Sequence, residues 1–436
     1  MKNQSTLKTF FKFTRLNVLA MISLSCYILA DTFFISKAFG SNGLTSLNLS
    51  IPIYSLINGI GLMIGIGGAT KFSIYKGKNK PYKGNITFTN SLLLGLIFSC
   101  IFIFLGLFFS SKLSVILGAD SETFHNTNVY LKTLLLFAPF FITNNILIAF
   151  IRNDGDPKLS MMAMFIGSFS NIVLDYLFMF PLNMGMFGAA FATGLAPVIS
   201  MFSLSYYFIN KKNTFKLDEI KLIPAYIKSI IKLGLSSFII EISSGIVIII
   251  FNIIILNISG NIGVAAYGII ANLSLVAMSI FNGIGQGIQP IISNNFGLSN
   301  KEAIKRTLIY AVITAVMFSI LLYVIIFLNS NFLVGIFNSS KDKILEDIAK
   351  KGLIIYFTGF IFVGFNLVTT SFLNSINNPN KAFIISISRG FLLIIPLVII
   401  LSKTLSLTGV WLSFTITELL SAGLSFYFLK TTDIFE

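Results

Sequence analysis

Charge is scarce in this chain of 436 residues: Asp, Glu, Lys and Arg together make up 11%, whereas a soluble domain carries about 25%. With so little charge, 55% hydrophobic residues and a mean hydropathy of +0.88, the chain belongs in lipid rather than water. Histidine occurs once, at His125 in a polar segment, so no zinc or haem ligand set can be assembled and no metal site is expected. The two cysteines, Cys26 and Cys100, both fall in apolar stretches, where packing is a better expectation than a disulfide or redox pair. A GxxxxGK[ST] phosphate loop is absent, and GGATKFSIYKGK (67–78) lacks its spacing, which argues against a nucleotide-driven pump. Nothing has the pattern of a catalytic triad, so an enzyme is not expected. Alternating-period strands of about ten residues are missing too, which excludes a transmembrane barrel.

What the chain does have is apolar runs of about 20 residues, the length that crosses a hydrocarbon core. Twelve are found, near 14–37, 44–70, 85–110, 126–150, 159–181, 186–209, 230–257, 263–290, 303–328, 347–374, 381–402 and 407–429. A cleaved signal peptide is rejected for the first 36 residues, because the run after Lys2, Lys8, Lys12 and Arg15 is long, carries an acid and belongs to a repeat. The net charge of +15 is explained by topology. Of the 31 Lys and Arg, 23 fall in the N-terminal tail, the C-terminal tail and the loops after even-numbered spans. By the positive-inside rule both termini are expected to be cytoplasmic. The excess is thus orientation bias with some attraction to anionic membrane lipid, and no nucleic-acid partner is expected.

The phrase NGIG occurs at 58–61 and again at 282–285, 224 residues apart. Pro157 and Pro379 head matching segments 222 apart, and Gly188 and Gly409 recur at 221. Three markers in one order at nearly constant offset imply a duplication. The expected fold is an all-α integral membrane protein of twelve transmembrane helices in two parallel six-helix repeats. Residues 1–210 form the N-lobe, 211–228 a polar, basic cytoplasmic linker, and 229–436 the C-lobe. Parallel repeats related by an axis along the membrane normal place substrate at their interface, so the architecture suggests a transporter. Gly61 with Gly65, and Gly283 with Gly287, are GxxxG pairs that allow close helix approach. Pro52 and Pro290 interrupt backbone hydrogen bonding in the same two spans. These positions are hinge candidates, and static packing explains them equally well.

Four acids lie inside spans: Asp31, Asp175, Glu241 and Glu418. A charge at the bilayer centre costs roughly 2.5 to 3.5 kcal/mol on insertion scales, so each needs a reason. Proton or sodium coupling is one; a helix-to-helix hydrogen bond from a protonated acid is the other. Asn171 lies four residues before Asp175 and shares its helix face. Asn282, Gln286 and Gln289 form a polar stripe in span 8 that can line a wet cavity or bond neighbouring helices.

The segments ADTFFISKAFGSNG, IPIYSLINGIGLMIGIGGA, FIRNDGDPKLSMM, SNIVLDYLFMFPLNMGMFGAAFATG, ANLSLVAMSIFNGIGQGIQPIISNNFG and LTGVWLSFTITELL resemble the multidrug and toxin extrusion (MATE) family over nearly the whole chain. The chain is most similar to the bacterial DNA-damage-inducible and staphylococcal-type extruder branches. The resemblance implies a V-shaped bundle of two lobes. It also implies export of organic cations or other amphipathic toxins in exchange for protons or sodium ions, with no cofactor, by a monomer in the bacterial cytoplasmic membrane. It assigns the coupling ion to Asp31 and Asp175, with Asn171, Thr193 and Tyr130 as hydrogen-bonding partners, and Glu241 to cation or drug binding in the C-lobe. Residues 356–370 (YFTGFIFVGFNLVTT) lack the acid of the NorM-like pattern, which counts against a C-lobe sodium site, and Glu418 receives no role. A flippase for a lipid-linked saccharide is the rival from the same superfamily. It would favour cationic residues in the cavity, whereas the in-span charges identified here are acidic.

Overall fold

The computed structural model describes residues 6–338 and 342–432; among these the regular structure is helical throughout. The first helix, α1 (Thr6–Gly77), has 72 residues, which at 1.5 Å each would reach about 110 Å, far more than a bilayer is thick. It breaks at Gly40 (φ 61, ψ −147), so one helix on paper is two spans in space. Then follow α2 (Pro81–Phe108), α3 (Ser110–Ile116), α4 (Phe124–Asp154), α5 (Pro157–Met179) and α6 (Gly185–Ile209). The second half opens with α7 (Pro224–Gly297), 74 residues broken at Gly260 (φ 62, ψ −157). It continues with α8 (Lys301–Phe337), α9 (Lys343–Thr358), α10 (Phe360–Ser375), α11 (Pro379–Ile387), a π-helical turn at Ser388–Leu392 and α12 (Ile394–Lys430). α9 and α10 form one bent span, with 41° between them. α12 is broken at Ser406 (φ 54, ψ −136) and serves as the end of one span and the whole of the next.

The loops expected near 38–43, 258–262 and 403–406 are therefore single-residue reversals. Glycine enters that left-handed region without steric cost, and this is why 40 and 260 are glycines. The duplication is visible in these conformations beyond the matching letters. Left-handed residues recur as Gly40 and Gly260, Asn79 and Ser299, Gly155 and Asn377, and Gly185 and Ser406, at offsets of 220 to 222. The non-helical residue between α2 and α3, Phe109 (φ −128, ψ 3), has its counterpart 220 residues on at Asn329 (φ −116, ψ 18) inside α8.

Ser406 fills a position where the first half has glycine, close to a backbone region that is almost glycine-only and costs about 1 to 3 kcal/mol. Glycine's extra unfolded-state freedom gives back roughly 0.5 to 1 kcal/mol. Ser406→Gly is therefore expected to stabilise the protein by about 1 kcal/mol and raise its apparent melting temperature in detergent. A lower melting temperature would mean that the serine side chain outweighs the strain.

The chain divides into two compact units. The first comprises residues 19–242 and 293–299; the second takes residues up to 18, 243–292 and 300 onward. The opening of α1 therefore belongs with the second unit and the opening of α7 with the first. In the first unit α4 is central: Leu134, Leu135, Ile142, Ile146 and Phe150 are fully buried on it. The segment 210–223 is strapped along this unit. Phe215 inserts among Phe72, Phe88 and Phe150, with ring centroids 4.5 to 5.6 Å apart. Backbone amides of Lys216, Asp218 and Ile223 donate to Asn85 Oδ1 (3.2 Å), Thr89 Oγ1 (2.9 Å) and Asn90 Oδ1 (2.8 Å). The buried carboxylate of Asp154 ties Lys76, Tyr207 and Thr214 together at the same end. At the turn before α4, Asp120 accepts from Thr123 Oγ1 (2.7 Å) and from the amides of Thr123 and Glu122, which holds its carboxyl below the usual range.

Large apolar side chains such as Phe104, Phe108, Phe165, Phe169 and Phe202 are exposed on the helix exteriors. In water such surface would be a liability; facing acyl chains it carries no penalty. Cys26 and Cys100 are exposed free thiols, which corrects the expectation that they pack inside. In lipid, an apolar stretch says nothing about which side of the helix is interior.

Candidate functional site

The first unit holds a cluster built from four helices. α1 supplies Asp31, only 7% exposed; α4 supplies Tyr130, α5 supplies Asn171 and Asp175, and α6 supplies Thr193, all buried. Asn171 and Asp175 share a face of α5 at i, i+4 spacing. With its amide nitrogen toward the carboxylate, Asn171 donates to Asp175 Oδ2 at 3.0 Å and its oxygen accepts from the Thr193 backbone amide at 3.3 Å. The Tyr130 hydroxyl faces Asp31 and Thr193 and interacts with both electrostatically. The structure thus brings these five residues into one place. The Oδ1 atoms of Asp31 and Asp175 are buried and accept no hydrogen bond from the protein. Among the described residues, no salt bridge reaches either carboxylate.

A second polar group in the same unit is centred on Glu241. Asn58 Nδ2 donates to Glu241 Oε1 at 2.9 Å, and Asn145 Nδ2 donates to Asn58 Oδ1 at 2.9 Å and to the Phe141 carbonyl at 3.1 Å. Asn58 is the first letter of NGIG, so one role of that phrase is to hold this acid. Glu241 sits in the compact unit of Asp31, while the stripe of Asn282, Gln286 and Gln289 belongs to the other unit, with Gln289 buried and the other two half-buried. In that second unit Arg389 and Glu418 form a buried ion pair, bridged to Asn366. The π-helical turn carries Arg389 into the helix interior, where the sequence pattern shows only an apolar stretch.

The glycine pairs mark close approaches. A methyl group on Gly61 would come within 2.9 Å of Asn145 Nδ2, and one on Gly65 within 2.7 Å of the Asn145 carbonyl oxygen. Gly283 and Gly287 meet the backbone of Val18 and Thr14 in the same way, at 2.6 and 2.8 Å. Pro52 and Pro290 lie within helix that continues through them; the non-helical residues in α1 and α7 are Gly40 and Gly260. Five functional candidates have no mark of their own in the apolar pattern: Tyr27, Tyr54, Asn145, Asn366 and Arg389. Tyr27 and Tyr54 stand one helical turn before Asp31 and Asn58, a spacing that could have singled them out.

A family model described as MatE matches residues 17–177 and 235–400, most of both halves. The chain belongs to the MatE family. Among curated relatives of this MatE chain, the multidrug export protein MepA of Staphylococcus saprophyticus is 29% identical over 398 residues, covering 91% of this chain and 87% of that protein. MepA of Staphylococcus haemolyticus is 29% identical, with coverage of 92% and 88%. Among solved structures, an outward-facing multidrug resistance MATE family transporter of the MOP superfamily superposes with a TM-score of 0.92 at 23% identity, covering 98% of this chain and 96% of that one. A MOP superfamily transporter from Pyrococcus furiosus, described as having a binding pocket of reverse polarity, gives 0.92 at 22% identity, with coverage of 99% and 97%. These structural likenesses establish the all-helical MATE fold for a multi-pass membrane protein.

Proposed function

We propose that this MatE chain exports small amphipathic or cationic molecules in exchange for a proton or sodium ion held at Asp31 and Asp175. The observation that carries this reading is the pair of buried carboxylates, each with an oxygen that no protein donor satisfies. A buried carboxylate is costly in a membrane, and a proton or a sodium ion relieves that cost. The ligand set around them consists of carboxylate, hydroxyl and amide oxygens, which suits a hard cation or a proton. Occupancy by the ion then favours one conformation and release the other, which is the differential interaction any ligand-driven change requires. The MepA relatives, named as multidrug export proteins, support a small-molecule cargo.

In this scheme residues 1–210 and 229–436 act as the two lobes of an alternating-access transporter, joined by 211–228. Asn282, Gln286 and Gln289 line the cargo path, and Glu241 takes part in cation binding. The protein works as a monomer without a cofactor, in the cytoplasmic membrane, with both termini inside. The test uses purified protein in proteoliposomes loaded with ethidium, under an imposed pH gradient or, separately, a sodium gradient. Movement driven by one of them is expected, and identifies the ion. If neither gradient moves ethidium while a fluorescent lipid-linked sugar flips between leaflets, the antiport reading fails and the flippase reading replaces it.

A further inference from the structure

A pair of tyrosines that neither motif nor comparison assigns interacts electrostatically with both acidic groups of the first unit. Tyr27 lies one turn before Asp31 on α1, and Tyr54 one turn before Asn58 beyond the Gly40 break, so each tyrosine shares a helix face with a site residue. Their hydroxyls meet at 2.7 Å, and either can be the donor. Tyr27 faces Asp31 electrostatically, and Tyr54 faces both Asp31 and Glu241. On one side of the tyrosine pair stands the cluster of Asp175, Asn171, Thr193, Tyr130 and Asp31, and on the other the hydrogen bond from Asn58 to Glu241; the pair is hydrogen-bonded within itself and acts on Asp31 and Glu241 through electrostatics.

We infer that Tyr27 and Tyr54 form a reversible hydrogen-bond switch that links the ionisation of Asp31 to that of Glu241, making them positioning residues for ion coupling. The chemistry lies in the shared hydrogen bond. When Tyr27 donates to Tyr54, the Tyr54 proton is free to turn toward the Glu241 side. When Tyr54 donates to Tyr27, the Tyr27 proton is free to turn toward Asp31. Each arrangement directs an O–H dipole at one carboxylate and withdraws it from the other, so the two acids compete for the same stabilisation. The remaining groups facing Asp31 are Tyr130 from α4 and Asp175 from α5; Glu241 is faced by Asn58 and Tyr54. No proton has to leave either tyrosine, because reversal needs only rotation of the two hydroxyls. The inference rests on the antiport reading for its use, but its geometry does not.

Infrared titration of full-length protein in lipid, following the carbonyl band of protonated carboxyl groups, tests it. The Asp31 band is assigned by its loss in Asp31→Asn. Coupling between sites is typically worth five-fold or more in an equilibrium constant, so Glu241→Gln is expected to displace the Asp31 midpoint by about 1 pH unit. In a Tyr27→Phe background, and again in Tyr54→Phe, the same change is expected to displace it by less than a third as much. Equal displacement in the tyrosine and phenylalanine backgrounds would mean direct charge interaction without the switch, and no displacement in any background would mean no link; both outcomes overturn the inference. Ethidium movement in vesicles is recorded on the same proteins. A lost gradient response with intact infrared coupling would reject the antiport reading and leave the switch standing.

Discussion

Asp31→Asn is expected to abolish gradient-driven efflux while leaving the protein folded. Asparagine has nearly the same shape, keeps a hydrogen-bonding partner for Tyr130 and removes the ionisable group, so it separates coupling from packing. The size of the loss follows from the driving force. A potential of 100 mV supplies about 2.3 kcal/mol for each net charge moved, equivalent to a cargo accumulation ratio of roughly 50-fold. Without the coupling site that ratio collapses toward one, and only downhill movement of ethidium remains. Asp175→Asn should behave alike, since Asn171 joins Asp175 to Thr193 and thereby to Tyr130 and Asp31. Tyr130→Phe should slow transport but keep the gradient response, because the hydroxyl orients the acid without carrying the ion. Accumulation ratios in vesicles at fixed potential decide the matter. Full accumulation by Asp31→Asn would move the coupling function away from this cluster.

Much of this was legible in the sequence because bilayer thickness fixes the length of an apolar run, and a duplicated run betrays itself by spacing. Asp31, Asn171 and Asp175 were visible since polar residues are rare where everything around them is apolar. Three things were hidden for physical reasons. The reversals at Gly40, Gly260 and Ser406 use one residue each, so composition there looks like a short loop although the helix nearly continues. The allocation of residues 6–18 and 224–242 to the opposite compact units is set by long-range packing, which no local pattern records. Glu241 belongs to the second half by its place in the chain, yet it accepts a hydrogen bond from Asn58 of the first. Arg389 was lost in the apolar mean of its neighbours, and a π-helical turn has no compositional signature.

Arg389 also supplies the second large effect, on stability. Its Nη2 donates to Glu418 Oε1 at 2.7 Å and its Nε to Oε2 at 2.9 Å, a two-point pairing that suits the planar guanidinium. Asn366 Nδ2 donates to Glu418 Oε2 at 2.8 Å and to its carbonyl at 2.9 Å, and Ser425 donates to Asn366 Oδ1 at 2.9 Å. Breaking such a buried pair on one side costs about 3 to 5 kcal/mol, because the other charge is left uncompensated. Arg389→Met or Glu418→Gln alone is therefore expected to lower the apparent melting temperature sharply. The double variant Arg389→Met with Glu418→Gln removes both charges, keeps an acceptor for Asn366, and is expected to recover most of the loss. Additive losses in the double variant would show that the pair is not the unit that matters. The first half makes the equivalent helix crossing without ions. Gly167 stands 222 residues before Arg389, and a methyl group there would lie 3.1 Å from the Ala196 carbonyl oxygen, beside the position of Pro197, 221 before Glu418. One half closes this crossing with a small residue and the other with a neutralised pair. Glu418 is consequently spoken for by its own arginine, whereas the oxygens left unsatisfied at Asp31 and Asp175 lie in the first unit, where the coupling ion is proposed to bind.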